Sequence, residues 1–340
     1  MQTKPDIAPG LYPWLRATYD QLTTQFTEGR LHHAMLIQGV KGLGKSQLSV
    51  RLAQFLQCAT PQSNKACGQC KSCLLHRANT HPDCYSVAPL GDKTSISVEK
   101  IRKVQASIVT TGLTNPIRVV LIPDADLMTT SATNALLKVL EEPPQDVFFI
   151  LTCPQRALLM PTIVSRCLDI NVANVAKEKL AAWVNKQVAI DFSTAQFALF
   201  NYSPLLALSG INSGMLDFVA ALRQSVLEIM LDQGRANAPI LPLVQLLKEQ
   251  TKDQKITIDQ TIDLIYLLII DCTKFASGLT CSNSFELTQP QIAKIHEMDV
   301  KDFLALEQDL NQLKQLIIEQ PSINKLLQLQ RVIVNFAPGS

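Results

Sequence analysis

Eight consecutive residues, Gly39-Val40-Lys41-Gly42-Leu43-Gly44-Lys45-Ser46, carry the most specific chemistry in the chain. They spell G-x-x-x-x-G-K-[ST], the pattern of a phosphate-binding loop. Gly39, Gly42 and Gly44 let the backbone curl so that successive N–H groups point inward, and a helix behind the loop adds the positive end of its dipole. Lys45 is then placed to reach the terminal phosphates of ATP, and Ser46 to hold its Mg²⁺. The flanks suit the motif. Ala34–Gln38 is a short apolar run of the kind that forms a buried strand. Between 47 and 56, Leu48, Leu52, Phe55 and Leu56 recur at helical spacing.

A second constellation is Cys58-x8-Cys67-x2-Cys70-x2-Cys73. Four thiolates so close in sequence can wrap a tetrahedral Zn²⁺, with Zn–S of about 2.3 Å and no open position, so the site is structural. Gly68 supplies the turn. An iron–sulfur cluster is the alternative that spacing leaves open. His76 and His81 lie nearby but are not needed when four cysteines are at hand. Cys84, Cys153, Cys167, Cys272 and Cys281 are scattered and read as small apolar residues.

The acidic half of a nucleotide site is incomplete. ATP hydrolysis on a phosphate loop uses a second strand ending in two acids, one for Mg²⁺ and one that polarises the attacking water. Here the strand over 119–122 ends Pro123-Asp124-Ala125-Asp126. Asp124 fits the metal position, or is an ordinary turn residue. A methyl group at Ala125 cannot accept a proton, and Asp126, one residue on, is expected to point elsewhere. The chain is therefore expected to bind ATP and to hydrolyse it poorly. Thr152, after the apolar run 147–151, is a sensor of the γ-phosphate or a strand cap. Arg166, in Ser165-Arg166-Cys167, reads by itself as a solvated surface residue.

Apolar runs over 34–38, 118–122, 147–151 and 168–171 alternate with helical patterns, including one from 130 to 142 stopped by Pro143-Pro144. A further strand is expected over 85–88, and Ser97 is placed to cap a helix carrying Ile101, Val104 and Ile108. Such alternation means a parallel α/β sheet covered on both faces. Beyond 175 the pattern is helical, with segments expected over 194–200, 204–208, 216–231, 241–250, 257–276, 302–319 and 322–336. The expected division is a nucleotide-binding-like domain with the cysteine module over 1–173, a helical lid over 174–213 and an all-α domain over 214–340. A length of 340 residues fits two or three domains, and 47% hydrophobic residues can build their cores. A net charge of +2 gives no basic field for nucleic acid. No run of apolar residues is long enough to span a membrane. Residues 1–10 lack the apolar core of a secretory signal, so nine cysteines point to a reducing compartment, the cytoplasm.

Several stretches together resemble one family: Tyr12-Pro13-Trp14-Leu15, Leu31-His32-His33-Ala34, the four cysteines after the loop, His81-Pro82-Asp83, the run Asn134 to Pro144 and Ser165-Arg166-Cys167. They resemble the AAA+ clamp-loader subunits of bacterial DNA polymerase III, strongly from 12 to about 210. The resemblance implies a five-membered ring with delta and gamma or tau subunits that opens a sliding clamp and places it on primed DNA. The last domain would be the collar that joins the ring. It also implies that Arg166 reaches, in trans, the ATP of the adjacent subunit. The ATP-hydrolysing members, gamma and tau, would carry Asp-Glu at 124–125 and a lid arginine, for which Ser203-Pro204-Leu205-Leu206 offers no counterpart. The chain is thus expected to be a stator-like member. Such members often have a degraded phosphate loop, whereas the one here is intact. The alternatives are a gamma/tau-like or autonomous P-loop ATPase, a small P-loop kinase, and a zinc-ribbon nucleic-acid binder. Missing catalytic groups weigh against the first, the long helical region against the second, and near-neutral charge against the third.

Overall fold

Short apolar runs pair as a sheet of five parallel strands: β1 Ala34–Gln38, β2 Cys84–Ser86, β3 Arg118–Ile122, β4 Val147–Cys153 and β5 Leu168–Asn171. The strand order is β2-β3-β4-β1-β5. The structure is a computed structural model and describes residues 10–89, 95–172, 175–188, 193–231, 243–247, 256–279, 283–320 and 322–335. The chain forms two compact units, Met1–Ala176 and Lys177–Ser340.

In the first unit the strand order decides what can meet. β4 lies between β1 and β3, with Ile37 level with Thr152 and Ile122 level with Leu151. The segments that follow β1, β3 and β4 therefore emerge side by side, at the carboxyl end of the sheet where ligands of open α/β folds bind. One face of the sheet is covered by α4 Val98–Ile108 and α5 Thr130–Glu141, whose Ile101, Ile108, Leu136 and Leu140 pack with Leu36, Val120, Phe149 and Leu151. The other side carries α1 Arg16–Thr27 and α2 Lys45–Leu56, where Phe26 meets Phe55 and Phe148 edge to face. The Thr129 hydroxyl accepts the Ala132 N–H to start α5, and Pro143 follows close behind its end.

Local expectations differ from the structure at a few points. β2 is shorter than expected and begins at Cys84. Ser97 occupies the N-cap position of α4 but makes no side-chain cap bond there. The helix α3 Lys71–Arg77, inside the cysteine region, carried too short a pattern to be read.

Among its described residues the second unit consists of helices joined by turns and loops, with no strand. It contains α7 Lys177–Val188, a 3-10 turn Gln196–Phe200, α8 Pro204–Asn212, α9 Met215–Leu231, and helices Ile258–Ala276, Gln289–His296, Val300–Glu319 and Lys325–Asn335. A capping box of Thr257 and Gln260 starts the helix Ile258–Ala276. Of the helix expected over 241–250, residues 243–247 lie within the described part and are helical. Gln289–His296 is a helix beyond those expected, with Pro290 in its first turn. In the first helical turn a proline costs nothing, since that N–H has no partner within the helix. Among the described residues no single helix is long and apolar enough to cross a membrane. Cys281 and the expected end of the last helix at 336 lie outside the described residues.

Candidate nucleotide and metal sites

The phosphate loop leaves β1 and is tied to the neighbouring strand by a Gly39 N–H bond to the Cys153 carbonyl, 3.3 Å. Gly42 and Gly44 have φ of 81° and 83°, conformations that favour glycine. Gly44 has a second reason to be glycine: a Cβ there would lie 2.5 Å from the Tyr12 ring. Tyr12 stacks on Trp14 at 5.0 Å, and the Trp14 indole donates to the Leu43 carbonyl at 2.9 Å. The Tyr12 N–H donates to Gln47 Oε1 at 3.2 Å. The stretch Tyr12–Leu15, chosen from sequence only as a family mark, is thus a prop for the loop. Lys45, 7% exposed, starts α2 and donates to the Gly39 carbonyl at 2.6 Å and the Val40 carbonyl at 3.1 Å. Burial pulls its pKa down, while Asp124, Cys153 and Asp126 oppose that shift. Ser46 is exposed on the first turn of α2.

The strand that should supply the acids turns sharply. Asp124 is left-handed, with φ 51° and ψ 54°, and its N–H donates to Thr152 Oγ1 at 3.2 Å. Thr152, 2% exposed, uses its hydroxyl to tie the ends of β3 and β4 together. Asp124 itself is exposed. Ala125, 1% exposed, belongs to the apolar core under the sheet. Burial raises the Asp126 carboxyl above its usual range, its own backbone N–H lowers it, and the charges of Asp124, raising, and Lys45, lowering, contribute less. Asp126 Oδ1 is buried without a hydrogen-bond partner.

Arg166 follows the short helix α6 Pro161–Val164 and precedes β5. Its side chain is 34% exposed. Nη2 meets Glu141 Oε1 at 2.6 Å, and Nη1 donates to the Thr162 carbonyl at 2.9 Å. Sequence reasoning did not pair it with Glu141, which lies at the end of α5 and 25 residues away in the chain.

The four cysteines do converge. The Sγ atoms of Cys58, Cys67, Cys70 and Cys73 lie within 4.8 Å of one another, and two pairs are 4.0 Å apart. A tetrahedral ion with metal–sulfur bonds of about 2.3 Å sets its ligands about 3.8 Å apart, so the cluster could hold one metal ion. An iron–sulfur cluster places several metal atoms between its cysteines and needs them further apart. Backbone N–H groups of Cys67, Cys70 and Cys73 point at the sulfurs of Cys58, Cys67 and Cys70, at 3.2, 3.3 and 3.5 Å. Hydrogen bonds from Thr60 and from the backbone pull the Cys67 thiol well down, whereas burial pushes Cys73 up. A cation here would hold all four as thiolates.

The histidines serve the mounting of this module and not the ligand set. His76 Nε2 bonds Gln57 Oε1 at 2.7 Å, and His81 Nε2 bonds the Ser72 hydroxyl at 2.6 Å. Gln57, 0% exposed, donates to the carbonyls of Asp83 and Ile117 at 2.8 and 2.9 Å. The Asp83 carboxylate accepts the N–H groups of Leu113, Thr114 and Asn115. Gln57 thus joins α3 to the approaches of β2 and β3, a role with no sequence signal beyond a polar residue at a helix end. Gln57→Leu should leave the Ile117 carbonyl and the His76 ring nitrogen without this partner, while the Asp83 carbonyl keeps the Val119 N–H. We expect a loss of about 3 kcal/mol, from about 1–3 kcal/mol per unsatisfied group. Urea unfolding checks this; an unchanged midpoint would show that water replaces the amide.

A family model described as "DNA polymerase III, delta subunit" matches residues 14–176. The chain is 37% identical over 200 residues to "DNA polymerase III subunit delta'" of Escherichia coli K12, covering 58% of this chain and 60% of that one, under two thirds of the relative's length. It is 34% identical over 266 residues to the protein of the same name from Haemophilus influenzae, covering 78% and 77%. The Pseudomonas aeruginosa protein of that name is 29% identical over 335 residues, covering 97% and 98%. Among solved structures, a DNA polymerase III gamma subunit-related protein from Thermotoga maritima is 17% identical with a TM-score of 0.44, covering 94% and 98%. A parallel sheet with a phosphate loop, a four-cysteine module behind it and these sequence matches have one common explanation: the chain belongs to the delta' family of DNA polymerase III clamp-loader subunits.

Proposed function

We propose that the chain is the non-hydrolysing, stator-like member of a clamp-loader ring. In that ring it stands with delta and gamma or tau subunits while a sliding clamp is opened and placed on primed DNA, in the cytoplasm. The observation that carries this is Ala125. The strand end beside the phosphate loop offers a methyl group packed into the core where a water-activating acid would stand. ATP can still be held, with the glycines of the loop, Lys45 and Ser46 on the phosphates, Asp124 toward Mg²⁺, and Thr152 bracing the strand end. Arg166 is free of this chain's own loop and serves the nucleotide of the neighbour. The cysteine module holds a structural Zn²⁺. Residues 174–213 act as a lid domain and 214–340 as the ring-forming collar.

The test has two arms. A tagged chain drawn from cell extract should bring delta and gamma or tau with it; recovery of neither sinks the proposal. The isolated chain should bind ATP weakly, lose that binding in Lys45→Ala, and show negligible turnover. Hydrolysis on the order of 1 s⁻¹ or faster, the ordinary enzyme range, would favour an autonomous ATPase instead.

A further inference from the structure

The four thiols of the cysteine module are not equally placed. Cys58 and Cys73 are buried, 7% and 0% exposed, whereas Cys67 and Cys70 are partly exposed. The two sulfur pairs at 4.0 Å, Cys67 with Cys73 and Cys70 with Cys58, each join one partly exposed thiol to one buried thiol. Together the pairs use every sulfur of the module once. A thiol within reach of oxidants in solvent, with a second thiol beside it, is the arrangement of a redox-sensing cysteine and its resolving partner. The sulfurs also hold the backbone of the module. Cys58, Cys67 and Cys70 accept the N–H groups of Cys67, Cys70 and Cys73, and the Cys70 side chain caps α3. An uncharged disulfide sulfur is a weaker acceptor than a thiolate. Oxidation would therefore loosen α3, whose Ser72 and His76 bond His81 and Gln57.

We propose that the cysteine module is a peroxide-responsive switch, in which Cys67 and Cys70 are oxidised first and are resolved by Cys73 and Cys58, closing two disulfides and giving up the cation. The inference rests on the reading of the module as a cation site. Each pair passes through two steps. The partly exposed thiolate attacks hydrogen peroxide: an S–O bond forms as the O–O bond breaks, and the leaving oxygen departs as water with a proton from solvent. The buried thiolate then attacks that sulfur: an S–S bond forms, the S–O bond breaks, and the oxygen leaves as a second water with another proton. The two sulfurs are oxidised by two electrons, and the peroxide is reduced by the same two. Once one pair has closed, the module keeps too few thiolates for a closed tetrahedral site. A thiol reductant returns the thiolates and with them the site.

Hydrogen peroxide added to the full chain as purified tests this. Released zinc is read with a chromogenic chelator, and disulfides are mapped by mass spectrometry after the free thiols are blocked. The expected result is a loss of about one zinc and about four thiols per chain, with bonds Cys58–Cys70 and Cys67–Cys73. Amide exchange over 71–77 should quicken, and a thiol reductant with added zinc should reverse all of these changes. Dimedone present during the oxidation, which traps sulfenic acids, should label Cys67 and Cys70 and leave Cys58 and Cys73 unlabelled. Zinc retained against peroxide, disulfides between other cysteines, oxidation beyond the sulfenic acid without disulfides, dimedone on the buried pair, or unchanged exchange over 71–77 overturns this inference alone. No zinc in the purified chain overturns the reading of the module as a cation site and this inference with it.

Discussion

Stripping the cation from the cysteine module should unfold part of the first unit. The purified chain is expected to contain close to one zinc per molecule by elemental analysis, and chelation should lower its melting temperature by about 10–20 °C. That figure follows from a loss of about 5 kcal/mol spread over a unit of this size. It is a fraction of the apparent binding energy of structural zinc, about 10–16 kcal/mol in small peptides, because here the module rests on a folded sheet. The route of the damage is set by the structure. Cys73 lies on α3, and the same helix carries Ser72 and His76, which bond His81 and, through Gln57, the carbonyls of Asp83 and Ile117. Without the cation, four thiols within 4.8 Å of one another must protonate or repel, and α3 loses its anchor. Cys70→Ser should behave like the chelated chain, while Cys84→Ser should keep its zinc. Iron in place of zinc, no metal at all, or a melting point indifferent to chelator would refute the structural-zinc assignment.

The second large effect is expected in trans. Arg166→Ala, assembled into a ring with delta and gamma or tau subunits, should lower DNA-stimulated ATP turnover and clamp loading while leaving assembly intact. The fold should tolerate the change. The contact with Glu141 is between partly exposed side chains, a pair of the kind worth about 0–1 kcal/mol. The effect on rate has a different origin. A guanidinium that reaches a neighbour's γ-phosphate stabilises charge in the transition state, worth roughly 10³–10⁵ in well-studied GTPases. The interface that contains Arg166 should lose most of its activity, and the whole ring less, since its other interfaces keep their own groups. Clamp loading should suffer more than bulk turnover if the sites act in sequence. Arg166→Lys should rescue poorly, because an ammonium is a point charge without the planar fork. Glu141 sets a control. Its carboxylate holds Nη2 in this chain, so on the arginine-finger proposal Glu141→Gln should leave the finger working, whereas loss of Arg166 should not be rescued by any change at 141. Equal turnover and clamp loading by rings with Arg and Ala at 166 would return this residue to the ordinary surface.

Sequence by itself determined the phosphate loop, the four-cysteine module and the strands that frame them. These are local properties: glycines at fixed spacing, thiols at short spacing, and apolar runs that must be buried, so that β1, β3 and β5 have the bounds read from the chain. It also identified the residue without an acid at 125. Tertiary structure alone decided which side chains face one another. The order β2-β3-β4-β1-β5 brings Thr152 to the Asp124 N–H across 28 residues, and no local pattern encodes that order. The left-handed Asp124 and the 3-10 turn after it end the strand's alternation and seat Ala125 in the core. Gln57, His76 and His81 became a mounting for the metal module only because α3 folds against the approaches of β2 and β3. The physical reason is common to all of these. Periodicity and spacing report what a segment buries or ligates by itself, whereas the direction of a polar side chain is settled by the turn beneath it and by the distant backbone groups it must satisfy.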